Sequence, residues 1–229
     1  MKKLIGLMAF VGLFQLVAVS QDCKLYYPQT ENVQLEYKSF DKKNKVTGSS
    51  VQKIRAIERG ANSVSATIEA EYFDTKGASQ GKSEMTARCE NGIFYLDMKN
   101  FLNPQSIEGF KDMEMKIEGG SLEMPSKLNA GDELKSGDMK MIFSSSGTPV
   151  MTMTINISNR KVEAIQDVTT DAGTFKCYKI SYDIATKMMF SVKAKGVEYY
   201  NEEVGMVKTE SYSSAGDLQG YTVLNSVRK

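Results

Sequence analysis

Alternation of apolar and polar residues with a period of two dominates the chain from Val33 onward. That period is the repeat of a β-strand with one dry face and one wet face, because successive side chains leave a strand on opposite sides. Val64, Ala66, Ile68, Ala70 and Tyr72 alternate with Ser65, Thr67, Glu69 and Glu71, and Met151, Met153, Ile155 and Ile157 alternate with Thr152, Thr154, Asn156 and Ser158. Shorter runs of the same kind lie at 33–37, 113–117 and 139–143. Turn chemistry separates them: Asp74-Thr75-Lys76-Gly77, Glu90-Asn91-Gly92, Gly119-Gly120, Asp171-Ala172-Gly173 and Ala215-Gly216-Asp217. The pattern predicts about a dozen strands, too many for a flat open sheet. The expected fold is therefore all-β: a strongly curved antiparallel sheet, barrel or half-barrel like, with one short helix. The helix is expected over Asn103 to Lys111, where Asn103 can cap, Pro104 suits the first helical position, and Ile107 and Phe110 share a side.

The N-terminus reads as an export signal. Lys2 and Lys3 precede an apolar run from Leu4 to Val19, and Ala18-Val19-Ser20 places small residues where a signal peptidase inspects them. Cleavage is expected between Ser20 and Gln21, leaving one β domain over residues 21–229 in the periplasm or otherwise exported. The run is too short for a spanning helix and is interrupted by Gln15, and no later stretch is long and apolar enough, so no transmembrane span is expected in the mature chain. Acylation of Cys23 is disfavoured by Asp22 before it, where a small residue is needed. The chain carries 29 Lys and Arg against 28 Asp and Glu, and loss of Lys2 and Lys3 takes the net charge from +1 to −1. Such a balance lacks the concentrated positive surface that nucleic acid requires, so no nucleic-acid partner is expected.

Export also permits disulfides. Three cysteines, Cys23, Cys89 and Cys177, allow at most one internal bridge. Cys23 with Cys89 is the expected pair, tying the N-terminal segment to a strand end and adding about 4 kcal/mol on the loop-entropy model. Cys177 sits within a strand-like run from Phe175 to Ile184, as a small buried residue would.

Histidine is absent, which removes Ser-His-Asp and Cys-His catalysis and His-based metal and haem sites together. Glycine-rich phosphate loops, G-x-S-x-G elbows and calcium-loop patterns are missing too. S-x-x-K occurs at Ser39 to Lys42, Ser50 to Lys53 and Ser79 to Lys82, without the companion motifs that Ser-Lys enzymes carry. Glu69 with Glu71, or Glu202 with Glu203, are the paired carboxylates a glycosidase would need, but the first pair falls on a polar strand face. Lys42, Lys43 and Lys45 read as a solvated turn. No catalytic, cofactor or metal site is expected. Methionine is the remaining oddity: Met85, Met98, Met113, Met115, Met124, Met139, Met141, Met151 and Met153 recur in strand-like runs. Such residues fill cores, or they line a concavity that adapts to an apolar guest.

Several segments taken together resemble the TapB family of exported Bacteroidota proteins. They are Gln21-Asp22-Cys23 with Tyr26-Tyr27-Pro28, Asp97-Met98-Lys99, Asn159-Arg160-Lys161-Val162, Thr169 to Phe175, and Val197-Glu198-Tyr199-Tyr200 followed by Val204-Gly205-Met206-Val207. Asp171 stands where the family often has proline, and a tryptophan near Tyr199 is missing. The resemblance implies an extracytoplasmic β-rich protein and supplies no catalytic residue. Gly173 and Gly205 read as fold determinants, one for a turn and one for a bend or bulge. The leading expectation is a non-enzymatic periplasmic binding or carrier module for a lipid or other apolar small molecule. An envelope scaffold, adding a partner strand at a free edge or near Tyr199 and Tyr200, is the second reading, and a carboxylate or Ser-Lys hydrolase the third.

Overall fold

The computed structural model describes residues 23–98, 108–110 and 112–229. The expected signal cleavage site at Ser20 and Gln21 lies outside them, as does most of the expected helix. What is described of that helix is one 3-10 turn, Glu108–Phe110.

The alternating runs form fourteen strands of one sheet: β1 (Gln34–Asp41), β2 (Val46–Arg59), β3 (Ser63–Phe73), β4 (Ser79–Glu90), β5 (Ile93–Asp97), β6 (Glu114–Gly119), β7 (Ser121–Pro125), β8 (Glu133–Leu134), β9 (Gly137–Ser145), β10 (Thr148–Thr170), β11 (Gly173–Lys187), β12 (Ser191–Asn201), β13 (Gly205–Ser213) and β14 (Leu218–Arg228). All pairings are antiparallel, and the order runs β6-β9-β10-β11-β12-β13-β14-β1-β2-β3-β4-β5-β7, with β8 on β10. β1 pairs with β14 along its whole length, so the first and last strands in sequence are neighbours in the wall.

The sheet's two edges are successive strands running in the same direction. β6 pairs with β9, and after Gly119-Gly120 the chain continues as β7 on β5. One bent segment thus reaches across from one edge to the other, leaving a seam where β7 lies beside β9 without a ladder. Both glycines have positive φ (75° and 105°), which lets the segment change partner with little strain. Across the seam, Arg160 donates from its Nη1 to the carbonyls of Glu123 (2.8 Å) and Lys135 (2.7 Å). Its strand β10 is bulged at that point, with Asn159 at φ 51°, and the bulge turns Arg160 inward.

One part of the barrel interior is dry. Phe94, Leu122, Met124, Met139, Met141 and Phe143 are fully buried there, each contributing about 1.5–3 kcal/mol by leaving water. Methionine is part of this filling: Met85, Met98, Met124, Met139, Met141 and Met153 are core, whereas Met113 and Met115 are exposed. Met151 packs against the core only partly buried.

Candidate functional site

Inward positions of β1, β2, β12, β13 and β14 have a different character from those of the methionine-rich wall. They carry Ser39, Gly48, Ser50, Gln52, Ala194, Glu198, Thr209, Ser211 and Thr222, and side chains this small or polar leave the barrel partly unfilled. A cavity of about 670 Å³ results, which is within the size range of small-molecule sites. Aromatic rings of Tyr27, Tyr72, Phe73, Tyr182 and Tyr200 complete its wall, and among the described residues Met206 is the sole methionine lining it. The concavity is therefore not the methionine-lined one that the M-x-M runs permitted, because Met139, Met141 and Met153 are buried in the core while Met113 and Met115 are exposed.

One end of the barrel is plugged by the N-terminal segment. Cys23 and Cys89 form a disulfide with Cα atoms 5.5 Å apart, and Leu25, Tyr26 and Tyr27 are buried behind it. Tyr26 packs its ring on Phe94 (5.3 Å), Tyr178 (6.2 Å) and Tyr200 (6.4 Å) and donates its hydroxyl to the Pro125 carbonyl at 3.2 Å. Lys24 pairs with Glu202 at 2.5 Å, and Glu202 also accepts from the Tyr178 hydroxyl. Gly205 is what admits the plug: its φ is +81°, and a Cβ there would stand 2.3 Å from the Tyr26 carbonyl oxygen. At the opposite end, where the β1–β2, β3–β4, β9–β10, β11–β12 and β13–β14 turns lie, the lining residues Thr47, Gln80 and Ser211 are exposed. The cavity opens there.

Two polar groups stand out in this cavity. Glu198 is 7 % exposed, the only buried carboxylate among the described residues. Burial raises its pKa to about 7, against the opposing pull of a hydrogen bond from Tyr182, the Arg160 charge and a hydrogen bond from Tyr200. Tyr182 donates to its Oε1 at 3.0 Å. That geometry depends on Gly196, which pairs with Tyr182 across the β11–β12 ladder: a Cβ at 196 would lie 2.4 Å from the ring. Gln52 is the second group, with an Oε1 that is buried and accepts no hydrogen bond among the described residues. Among the described residues no Lys or Arg lines the cavity, so its charge is neutral to negative.

The other sequence candidates lie elsewhere or serve structure. Glu69 sits on the outer face, paired with Arg55 (2.6 Å) and Lys82 (3.7 Å), and Glu71 also holds Lys82 (3.3 Å). Ser39 and Ser50 line the cavity, but Ser39 shares a hydrogen bond with Thr222, and Ser79 donates to Glu71 on the outside. Lys42, Lys43 and Lys45 form an exposed turn whose backbone is held by the Asp41 carboxylate. Tyr199 and Tyr200 are buried in β12, between β11 and β13, so this segment offers no free edge for a partner strand. Cys177 is buried, and burial pushes its thiol pKa up to about 12. Glu198, Tyr182, Gln52 and Arg160 were not singled out as site residues from the sequence. A signal for Glu198 was present: Ala194, Gly196, Glu198 and Tyr200 share one face of β12 while Lys193 and Lys195 occupy the other, which puts the carboxyl inside.

A DUF3108-like family model matches residues 30–224. A candidate lipoprotein of solved structure from Parabacteroides distasonis is 26% identical, with a TM-score of 0.79, over 91% of this chain and 100% of the other. A candidate exported protein with a YmcC-like fold from Bacteroides fragilis shares the fold at 22% identity and a TM-score of 0.77, over 90% of this chain and 100% of that one. A search of curated proteins returns no match. These similarities carry the broader content of the resemblance drawn from sequence, a β-rich family with relatives described as exported; they do not carry the TapB name.

Proposed function

This chain belongs to the DUF3108-like family, and we propose that it is a non-enzymatic extracytoplasmic binding module whose barrel cavity holds a small amphipathic molecule. The observation that carries the reading is the open cavity of about 670 Å³, walled by tyrosine rings together with small and polar side chains. The guest presents hydroxyl or amine groups to the Ser, Thr and Gln side chains of the wall, lays apolar surface on the tyrosine rings, and is not an anion, because among the described residues no lining cation would compensate a buried negative charge. This narrows the apolar ligand expected from sequence, since none of the methionines that suggested it lines the cavity among the described residues. The extracytoplasmic location rests on the N-terminal signal pattern and on relatives described as exported or as lipoproteins.

Native mass spectrometry of the protein isolated from cell envelopes tests the reading. A reproducible small-molecule adduct is expected, absent from a Ser50→Phe variant in which the new ring occupies the cavity. Repeated recovery of adduct-free protein, or an adduct that survives Ser50→Phe, overturns it.

A further inference from the structure

Nine large hydrophobic side chains are exposed among the described residues, and all but Ile165 lie at the open end of the barrel or on the strand ends that lead to it. The β11–β12 turn is the extreme case. Met189 and Phe190 are 81% and 80% exposed, Val192 beside them is 64% exposed, and Val150 at the start of neighbouring β10 is 55% exposed. The turn is tight, closed by Met188 N–H on the Phe190 carbonyl at 3.2 Å, so these side chains project as a narrow tip. Chance scatter of exposed apolar residues over a surface needs no explanation, but their concentration on one rim does.

The charges around the tip say what meets it. Between Ile184 and Val197 the chain carries Lys187, Lys193 and Lys195 and no acid, and none of the three is ion-paired among the described residues. The β1–β2 turn at the same end adds Lys42, Lys43 and Lys45, while the acids of that end, Asp41, Asp74 and Asp217, lie in turns other than the tip, where Asp41 and Asp74 hold the turn backbone. An apolar point flanked by unpaired lysines is the complement of a lipid surface with anionic headgroups: the apolar side chains enter the acyl boundary while the ammonium groups stay at headgroup level. A protein partner would require a broad, shape-matched apolar face, and this tip is a single turn.

We propose that the open rim of the barrel docks on an anionic bilayer surface through Met189, Phe190 and Val192 with Lys187, Lys193 and Lys195, bringing the cavity mouth to the lipid. The proposal does not depend on what the cavity holds. Its test is flotation of the protein with vesicles of phosphatidylglycerol and phosphatidylethanolamine, and separately of phosphatidylcholine alone. Binding to the anionic vesicles is expected, reduced about fivefold for each tip lysine changed to glutamine. The pair Met189→Ser with Phe190→Ser is expected to weaken it by about tenfold or more. These positions are exposed, so the variants should keep the wild-type circular dichroism, and Ser50→Phe should float as well as wild type. Absence of flotation, equal flotation on phosphatidylcholine, or flotation untouched by the tip variants overturns the proposal. So does concentration-dependent dimerisation that replaces vesicle binding and is lost in the tip variants, which would make the rim a contact between two copies.

Discussion

Replacing Glu198 by glutamine converts the barrel's buried carboxyl into a neutral group of nearly the same shape, still able to accept the Tyr182 hydroxyl. Burial raises the pKa of the wild-type carboxyl in the fold to about 7 from an ordinary 4.5. Below pH 4.5 it is protonated in both folded and unfolded chains and has no effect on stability. Between pH 4.5 and 7 the unfolded chain releases the proton while the folded one keeps it, so stability falls as pH rises and the full penalty is present above 7. With 1.36 kcal/mol per unit, the shift is about 3 kcal/mol. Urea unfolding of wild type and Glu198→Gln at a series of pH values from acid to mildly alkaline measures this directly. The two curves should converge in acid, and the variant should be more stable by about 3 kcal/mol above neutrality, equivalent to roughly 6–12 °C in Tm for a chain of this size. Parallel profiles would refute the reasoning. A wild type that gains on the variant as pH rises would mean that Arg160 and the tyrosines stabilise the carboxylate by more than burial costs it.

Other perturbations follow from the same geometry. Gly196→Ala should displace Tyr182 and cost about 1–3 kcal/mol, and a double-mutant cycle in urea should show Tyr182→Phe costing less in that background than in wild type. Gly205→Ala combines a left-handed φ with collision against the Tyr26 carbonyl and should lose about 2–4 kcal/mol by thermal denaturation; a native Tm would discredit the plug. Arg160→Met leaves two seam carbonyls without their donor and should cost about 3–5 kcal/mol in urea, and a neutral result would show that the seam is held by apolar packing alone. Non-reducing peptide mapping should recover Cys23 joined to Cys89, with Cys177 alkylated after denaturation and protected before it, as a buried thiol ionising at about 12 demands. Rapid native alkylation of Cys177 would contradict its burial.

The curved antiparallel β fold was legible because strand alternation is local: each residue's face follows from its neighbours, and the turn glycines mark where the chain reverses. Gly205 shows the limit of that kind of reading. Its sequence context indicated a bend, but the steric demand comes from Tyr26, a residue 179 positions earlier that only the folded barrel sets against it. Methionine shows it again. M-x-M tells which side chains share a face, whereas whether that face meets other side chains or an open cavity depends on which strands curve around to oppose it, and here Met139 and Met141 meet a full interior.

Arg160 was visible as part of a four-residue motif without any hint that it bridges β10 to β7 and the chain before β9. Its partners are backbone carbonyls, which every residue has, so no pattern in the sequence could mark them. The sequence alone determined the all-β class, the curvature and the missing histidine chemistry, because these depend on composition and on nearest neighbours. Closure of the sheet through one bent segment, the plug at one end, and the assembly of Gln52, Tyr182 and Glu198 around a shared cavity were decided by tertiary structure. Each joins residues far apart in the chain, and only the way the strands wrap around one another sets the distance between them.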